Sequence, residues 1–364
     1  MRFNTFTLAF FLLMTGWSMP TVLTAQKYSN EFMSIGVSAK AQAMGNAVIA
    51  TVNDVTAGYW NPAGLTHLEK ESGLQLGAMH AEWFAGVGKF DYLAMTLPLA
   101  AKNRRIGFSI VRFGIDDIPN TLSLYESDGS INYDNIVSFS AADYAFLGSF
   151  AQVINLKSKP LRVGGNVKVI RRVIGKFANS WGFGVDLGAQ YAVNDWKFGL
   201  QLQDITNTFN AWRVNFTEKE KDVLVATGND LPDIKSLELT KPQIILGVAK
   251  SFSIKEVLLT TELDFRATTD GKRNTLISGN PISIDPAFGL EVGYKHFVFL
   301  RAGVNQFQYE SSFEKDKYLT LRPAIGVGMR IKSFTIDYAL TDPGDSKKTF
   351  SHIISLTLDL KPKH

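Results

Sequence analysis

The chain has 364 residues, 45% of them hydrophobic and 12% aromatic, and a formal net charge of +4 at pH 7. The 26 Phe and 30 Gly beside only 12 Pro are typical of strands and tight turns and argue against disorder. Cysteine is absent, which excludes disulfides and a lipidated cysteine, and the scattered Lys and Arg residues form no basic run, which argues against a nucleic-acid partner.

The first 25 residues have the pattern of a secretory signal peptide. Arg2 supplies a positive charge, residues 6–17 are apolar but too few to span a bilayer as a helix, and Pro20 follows them. Residues 23–25 provide a cleavage site before Gln26. We therefore expect an exported chain with a net charge of +4 − 1 = +3, because Arg2 is the only charge removed. No later run of about 20 apolar residues predicts a membrane helix.

Residues 26–72 lack the strand pattern that follows them. Residues 38–52 are rich in Ala with helical tendency, and the run Trp60, Asn61, Pro62, Ala63 and Gly64 predicts a turn. A barrel of the size predicted below is too wide for its own side chains to fill, so we expect this segment to form a hatch inside it. The motif at 60–64 is then either an element that controls passage or a rigid turn packed on the wall.

From about Gly73 to Leu360 the chain is a succession of period-two segments, the pattern of half-buried strands. One face is bulky and apolar, and the other carries small residues and the charged residues Asp186, Glu262, Asp264, Arg266, Glu291, Arg301, Arg330 and Asp337. In a transmembrane barrel the bulky face meets lipid and the small face lines the lumen, whereas a soluble sandwich reverses the faces. The charges predict either mutual ion pairs or a site for a polar ligand.

The lengths of the connections separate these two folds. Short connections centre on 102–103, 158–159, 194–195, 253–254, 295–296 and 332–333, and most of those between them are much longer (116–135, 206–241, 268–284, 308–317 and 342–348). This alternation is typical of outer-membrane barrels, and a Greek-key sandwich gives no reason for it. The predicted fold is therefore all-β, a transmembrane outer-membrane β-barrel of about 14 antiparallel strands. Its segments are a signal peptide (1–25), a hatch (26–72) and the barrel (73–364).

The third predicted strand contains a change of phase. Bulky side chains alternate through Ile110 and then continue in the opposite phase from Val111. A phase slip within one strand predicts a β-bulge at Ile110 and Val111.

The longest predicted loop, 206–241, carries Phe209, Trp212 and Phe216, followed by the charged run 218–222. Exposed aromatic side chains beside charges suit a partner-contact surface. The alternative is a loop that folds over the barrel mouth with its aromatic side chains inward.

No residue pattern predicts catalysis, a cofactor or a bound metal, so a non-enzyme is expected. The five His residues are dispersed without metal-ligand spacing, and Ser109 lacks the second glycine of a nucleophile elbow. The Gly-x-Gly runs at 182–184 and 326–328 fall inside predicted strands and are interpreted as lumen-facing glycines.

A family resemblance is carried by Glu31, Phe32, Ile35, Gly36, Ala39, Ala41, Met44, Gly45, Ala47, Asp54, Tyr59 and residues 60–65, with further stretches at 199–207, 300–303 and 336–339. These residues resemble the PorV/PorQ family, within the wider class of FadL-like barrels. The resemblance implies a FadL-like barrel associated with the type IX secretion system. It also implies that an irregularity at Ile110 and Val111 would open a lateral exit, the alternative being an ordinary bulge.

Two functions of different classes follow. The first is a non-enzymatic accessory of type IX secretion that binds the translocon or secreted cargo, with a blocked lumen and an adhesive rim. The alternative is a FadL-like transporter of hydrophobic small molecules, which needs an apolar pocket open to the outside. A general diffusion porin would not need a hatch. In each case we expect a Gram-negative outer-membrane location, with lipids and lipopolysaccharide as partners and no nucleic acid.

Overall fold

The computed structural model describes residues 29–68, 73–99, 103–126, 130–156, 159–231, 235–311, 317–342, 344 and 350–360. The predicted signal peptide, residues 1–25, lies outside the described residues.

Sixteen antiparallel strands form one closed sheet. They are β1 (Leu74–Trp83), β2 (Gly88–Pro98), β3 (Arg104–Asn120), β4 (Val137–Leu156), β5 (Lys159–Ile174), β6 (Ala178–Val193), β7 (Trp196–Gln203), β8 (Thr208–Val214), β9 (Lys235–Thr240), β10 (Gln243–Ile254), β11 (Val257–Thr268), β12 (Ser283–Tyr294), β13 (Val298–Ser311), β14 (Lys317–Ile331), β15 (Phe334–Thr341) and β16 (Ser351–Leu360). The barrel closes where β1 pairs with β16, from Leu74 opposite Leu360 to Glu82 opposite His352.

The predicted number of 14 strands is confirmed, because β7 and β8 are two parts of one wall strand and β9 and β10 are two parts of the next. Residues Leu187–Val193 of β6 pair with β7, and residues Ala178–Phe183 of β6 pair with β8. β8 and β9 pair with each other, as do β7 and β10. The predicted long loop 206–241 therefore holds a wall hairpin together with the helix α3 (Glu218–Ala226).

The bend between β7 and β8 is fixed by a buried ion cluster in the wall. Lys168 Nζ lies 2.8 Å from Asp186 Oδ1 and 2.6 Å from Asp204 Oδ1. Asp204 has a positive φ of 56° and its N–H donates to Asp186 Oδ1 over 2.9 Å. The cluster explains how the chain turns at residues 204–207 without leaving the sheet.

The two ends of the barrel differ in their connections. At the end called the turn end here, 194–195 and 332–333 join neighbouring strands, and the predicted turn at 253–254 lies two residues later, at 255–256. The opposite end, the loop end, carries the connections 121–136 and 269–282. Two loop-end connections, 84–87 and 175–177, are also short, so the alternation of lengths is not strict.

The two faces of the strands are arranged as predicted for a membrane barrel. Large apolar side chains point outward and are exposed, among them Trp181, Leu246, Leu300, Ile325 and Ile354. The small residues point inward: an added Cβ on Gly326 would lie 2.6 Å from Ala43 Cβ inside the barrel. The fold is therefore an outer-membrane type of barrel, with lipid-facing bulk and a lumen lined by small and charged residues.

The predicted bulge at Ile110 and Val111 is wrong in position. β3 pairs with β2 and with β4 without a register shift at these residues, and the irregularity lies between Ile115 and Ile118, where Asp117 has a positive φ. Val111 is fully buried because it faces the hatch rather than lipid. The phase change in the sequence therefore arises because a continuous strand carries bulky side chains on both of its faces.

The hatch, residues 29–68, fills the lumen. It contains the short helices α1 (Ala39–Ala43) and α2 (Ala57–Trp60) and the 3-10 turns Glu31–Ser34 and Pro62–His67. Its polar groups bond to strands on several sides of the wall, including β1, β5, β11 and β16. Within the described ranges, no helix is long and apolar enough to cross a membrane.

Candidate functional site

The predicted hatch motif at 60–64 lies buried against the barrel wall. Asn61 is fully buried, and its Nδ2 donates to the carbonyl oxygens of Ile49, Ala189 and Leu200 over 3.0, 3.1 and 3.4 Å. Its Oδ1 accepts from the Ala63 N–H over 3.3 Å. One amide side chain thus joins two parts of the hatch to β6 and β7.

Two neighbours of Asn61 fix the same turn. Trp60 Nε1 donates to the Val37 carbonyl over 3.0 Å, and Pro62 occupies the first position of the 3-10 turn. An added Cβ on Gly164 would come within 2.7 Å of Ala63 N, so the wall glycine allows the turn to lie directly on β5. The motif has the geometry of the rigid turn that was one of its two predicted roles.

A pair of wall carboxylates holds the turn 48–51 of the hatch. The N–H groups of Val48 and Ile49 donate to Asp264 Oδ2 over 2.9 and 3.1 Å. Glu262 Oε1 accepts from the Ala50 N–H over 2.6 Å, and Glu262 Oε2 accepts from the Thr51 hydroxyl. Four hydrogen bonds from residues 48–51 thus converge on these two side chains, so the pair anchors the turn to β11.

The remaining lumenal charges are largely paired with one another, the first of the two predicted roles. Arg301 Nε donates to Glu291 Oε2 over 2.6 Å, and Arg301 Nη1 donates to Asp337 Oδ1 over 2.7 Å. Arg266 instead bonds to neutral acceptors, the side-chain oxygens of Gln203 and Gln243. Arg266 has no direct ion pair in the described residues, although Asp285 lies opposite it in the strand register.

One side of the lumen is apolar. The inward side chains of β1, β2 and β3 pack with the hatch in a single buried cluster that includes Trp83, Phe90, Tyr92, Val111, Phe113, Phe32 and Met33. The carboxylate pair and Arg266 belong to β11, on another part of the wall. The lumen above the hatch thus has one apolar and one charged wall.

A cavity of about 550 Å³ lies at the loop end, above the hatch. Its apolar wall is formed by Ile35, Trp83 and Phe84, and its basic wall by Arg266, Arg273 and Arg322, which outnumber the lining carboxylates Glu31 and Asp285. Arg273 is paired with Asp270 and Glu31, whereas Arg322 makes no hydrogen bond or ion pair with the described residues. This upper cavity can hold a molecule with an apolar body and a negatively charged group.

A second, polar cavity of about 220 Å³ lies on the turn-end side of the hatch. Met44, Val48 and Thr51 of the hatch border this polar cavity. Gly45, Asn46 and Ile49 of the same turn border a third, small cavity of about 50 Å³. This small cavity is continuous in its lining with the upper cavity, since both include Arg266 and Asp285. The hatch turn from Met44 to Thr51 is therefore the barrier between the two sides. It is the same turn that Glu262 and Asp264 hold.

His67 closes the last turn of the hatch, and Nε2 of its ring lies 3.0 Å from Gln190 Oε1. Burial, assisted by the charge of Arg162, lowers the pKa of His67 to about 4. Gln190 Nε2 in turn donates to the carbonyls of Ile49 and Val52 over 2.9 and 3.2 Å. The neutral ring therefore supports the side chain that holds the barrier turn.

Acidification should loosen this end of the hatch. When the hatch leaves its site, His67 recovers its usual pKa near 6.5 and binds a proton that the closed hatch does not bind until about pH 4. Closure is therefore fully stabilised above pH 6.5 and loses about 2 kcal/mol by pH 5. Hydrogen exchange of residues 60–67, corrected for intrinsic rates, should be faster at pH 5 than at pH 7.5. His67→Gln should abolish the difference, and an equal change in that variant would contradict this origin.

The three aromatic residues predicted as a partner-contact surface are not brought together. Phe209 points outward from β8 on the lipid-facing surface. Trp212 stacks under Arg172 at 5.0 Å and its Nε1 donates to Glu238 Oε2 over 2.8 Å, while Phe216 packs on Phe177 with ring centroids 5.5 Å apart. Two of the three therefore hold this segment against β5 and the 175–177 connection.

Within the described part of the chain, no group of three or more His, Cys, Asp or Glu side chains has the geometry to hold a metal ion. No protein-family model and no curated protein sequence matches the chain.

Solved structures do resemble this barrel. The toluene transporter TodX of Pseudomonas putida aligns with a TM-score of 0.55 at 13% identity over 89% of this chain and 98% of that one. The monoaromatic hydrocarbon channel CymD aligns with a TM-score of 0.55 at 13% identity over 91% and 99%. A FadL homologue of Pseudomonas aeruginosa aligns with a TM-score of 0.50 at 12% identity over 87% and 96%. The chain thus shares the fold of FadL-type outer-membrane barrels.

Proposed function

We propose that this chain is an outer-membrane transporter that admits small hydrophobic molecules, including molecules that carry an anionic group. The observation that carries the proposal is the upper cavity, which lies between an apolar wall with Trp83 and a basic wall with Arg322. Apolar walls with a few convergent polar groups are typical of sites for small molecules. The loop end would face the outside, because the long connections of outer-membrane barrels are extracellular.

The comparisons support this proposal by fold alone. Two of the similar structures are described as a toluene transporter and a monoaromatic hydrocarbon channel. The barrier turn 44–51 gives the proposed path a closed state, and passage requires this turn to move. The alternative predicted from the family resemblance, an accessory of type IX secretion, needs an adhesive rim. Trp212 and Phe216, the residues expected to form it, instead pack on Arg172 of β5 and on Phe177 of the neighbouring connection.

The test uses three ring compounds of similar size that differ in charge: toluene, benzoate and benzylammonium. Their uptake is measured in Gram-negative cells that lack general porins, with and without this chain. We expect toluene and benzoate to enter faster than in cells with an empty vector and benzylammonium to stay at the background rate. Equal rates with and without the chain for toluene and benzoate would contradict the proposed function.

The variant Arg322→Gln separates the two parts of the proposal. Removing the Arg322 guanidinium should lower benzoate uptake by about tenfold, because a hydrogen bond to a charged group contributes roughly 1.5–3 kcal/mol. Toluene uptake should not change. Lys295→Gln is the matched control, since Lys295 is exposed at the turn end and pairs with Glu256 over 3.2 Å. An equal loss for both compounds would place Arg322 in the structure of the mouth rather than in recognition.

A further inference from the structure

Three basic residues lie side by side on the outward face of the barrel at the loop end. In the strand register, Arg213 on β8 is directly opposite Lys235 on β9 and also opposite Asn179 on β6. Arg171 on β5 is opposite Trp181 of β6, two residues from Asn179. We call Arg171, Arg213 and Lys235 the basic arc.

The basic arc lies at the edge of the lipid-facing band. Outward residues nearer the middle of the barrel are apolar and exposed, among them Phe183 on β6, Phe209 on β8 and Leu237 on β9. Trp181, which lies directly opposite Arg171 in the strand register, is 55% exposed. Aromatic and basic side chains at the end of an apolar band are typical of the interface between hydrocarbon and headgroups.

Among the described residues, no carboxylate neutralises the basic arc. The outward positions of β5, β6, β8 and β9 hold no Asp or Glu in the described residues, and the nearby Glu238 and Asp143 are bonded to Arg172 instead. Elsewhere on the outward face, Arg112 of β3 does have a partner, because it bonds to Asp91 of β2. Like charges directly opposite in a sheet are destabilising, so the pair Arg213 and Lys235 calls for an anion from outside the chain.

Arg171 is already held in place for such a contact. Its Nη1 donates to Asn179 Oδ1 over 2.9 Å and to the Ser180 carbonyl over 3.2 Å, and the guanidinium stacks over Trp181 at 4.9 Å. The other nitrogens of Arg171 make no hydrogen bond with the described residues. A guanidinium fixed in this way loses little entropy when it binds a phosphate.

We propose that the basic arc binds a glycolipid of the outer leaflet that carries two phosphate groups. β5 and β9 are three strand spacings apart and Lys235 lies two residues farther along the strands, which places Arg171 about 16 Å from Lys235. One phosphate cannot reach both, but two phosphates on a disaccharide headgroup can, one at Arg171 and one between Arg213 and Lys235. The acyl chains would lie on Phe183, Phe209 and Leu237. The proposal shares its membrane orientation with the proposed function and does not depend on transport.

The test is native mass spectrometry of the full chain in detergent with bisphosphorylated lipid A, dephosphorylated lipid A or phosphatidylethanolamine. We expect one molecule of bisphosphorylated lipid A to be retained at least tenfold more strongly than either of the others. Arg213→Gln with Lys235→Gln should lower its retention about tenfold, and Arg171→Gln should lower it severalfold. The control Lys295→Gln should change nothing.

Equal retention of all three lipids, or unchanged retention in the double variant, would overturn the proposal. The double variant should take up toluene and benzoate at the normal rate, because the basic arc lies on the opposite surface of the wall from the upper cavity. Failure of lipid binding and failure of transport are therefore distinguishable. Migration of the unheated variant as a compact barrel in SDS gels verifies that it has folded.

Discussion

Replacing Glu262 and Asp264 together by Ala should turn a closed barrel into a conducting one. The two carboxylates accept three backbone N–H bonds and one hydroxyl bond from residues 48–51. Each buried N–H left without an acceptor costs about 1–3 kcal/mol, so the closed turn would lose about 3 kcal/mol or more relative to an open one. A change of that size raises the population of the open state by about two orders of magnitude.

The measurement is single-channel conductance in planar bilayers, with the wild type expected to be closed for most of the time. Glu291→Ala is the matched control, because Glu291 is also a lumenal carboxylate but bonds to Arg301 and makes no hydrogen bond to the hatch. The control should alter ion selectivity without adding long openings. A double variant that folds and stays as closed as the wild type would show that the turn 48–51 is not the barrier.

The barrel itself could be predicted from the sequence, because its cause is local. Alternation of bulky and small residues places one face of every strand toward lipid, and glycines such as Gly326 mark where the hatch approaches the wall. The hatch motif at 60–64 could also be located, since Trp60, Asn61 and Pro62 form a local turn. The partners of the hatch could not, because Glu262 and Asp264 lie more than 200 residues from the N–H groups they bind.

Two errors have the same physical origin, a tertiary contact that changes the meaning of a local pattern. The phase change at Val111 predicts a bulge, but it arises because this strand also packs bulky side chains inward on the hatch. The stretch 206–241 predicts a loop because β8 and β9 are short and a bend at Asp204 separates β8 from β7. That bend persists because Lys168, far away in sequence, pairs with Asp204 inside the wall. No spacing in the sequence indicates that pair.

A second large effect is expected at Gly303, where β13 touches the hatch. An added Cβ at Gly303 would lie 2.1 Å from Gly45 N and 2.1 Å from Met44 C. Both contacts are to backbone, so a larger residue cannot be accommodated by rotation of a side chain. Gly303→Val should therefore displace the barrier turn while the strand ladder, which needs no glycine there, stays paired. The cost exceeds the 1–3 kcal/mol that is typical of overpacking, because a whole hatch segment must move.

Displacement can be followed by labelling, since the chain has no natural cysteine. In a Val48→Cys background the thiol should be unreactive to maleimide, because the Val48 side chain is only 2% exposed within the closed turn, and Gly303→Val should make it reactive within minutes. Gly148→Val is the control, because a Cβ there meets only the Val167 carbonyl oxygen at 4.0 Å. If Gly303→Val folds as a barrel and the thiol stays protected, then Met44 and Gly45 do not lie against β13. The barrier would then have to be sought elsewhere in the hatch.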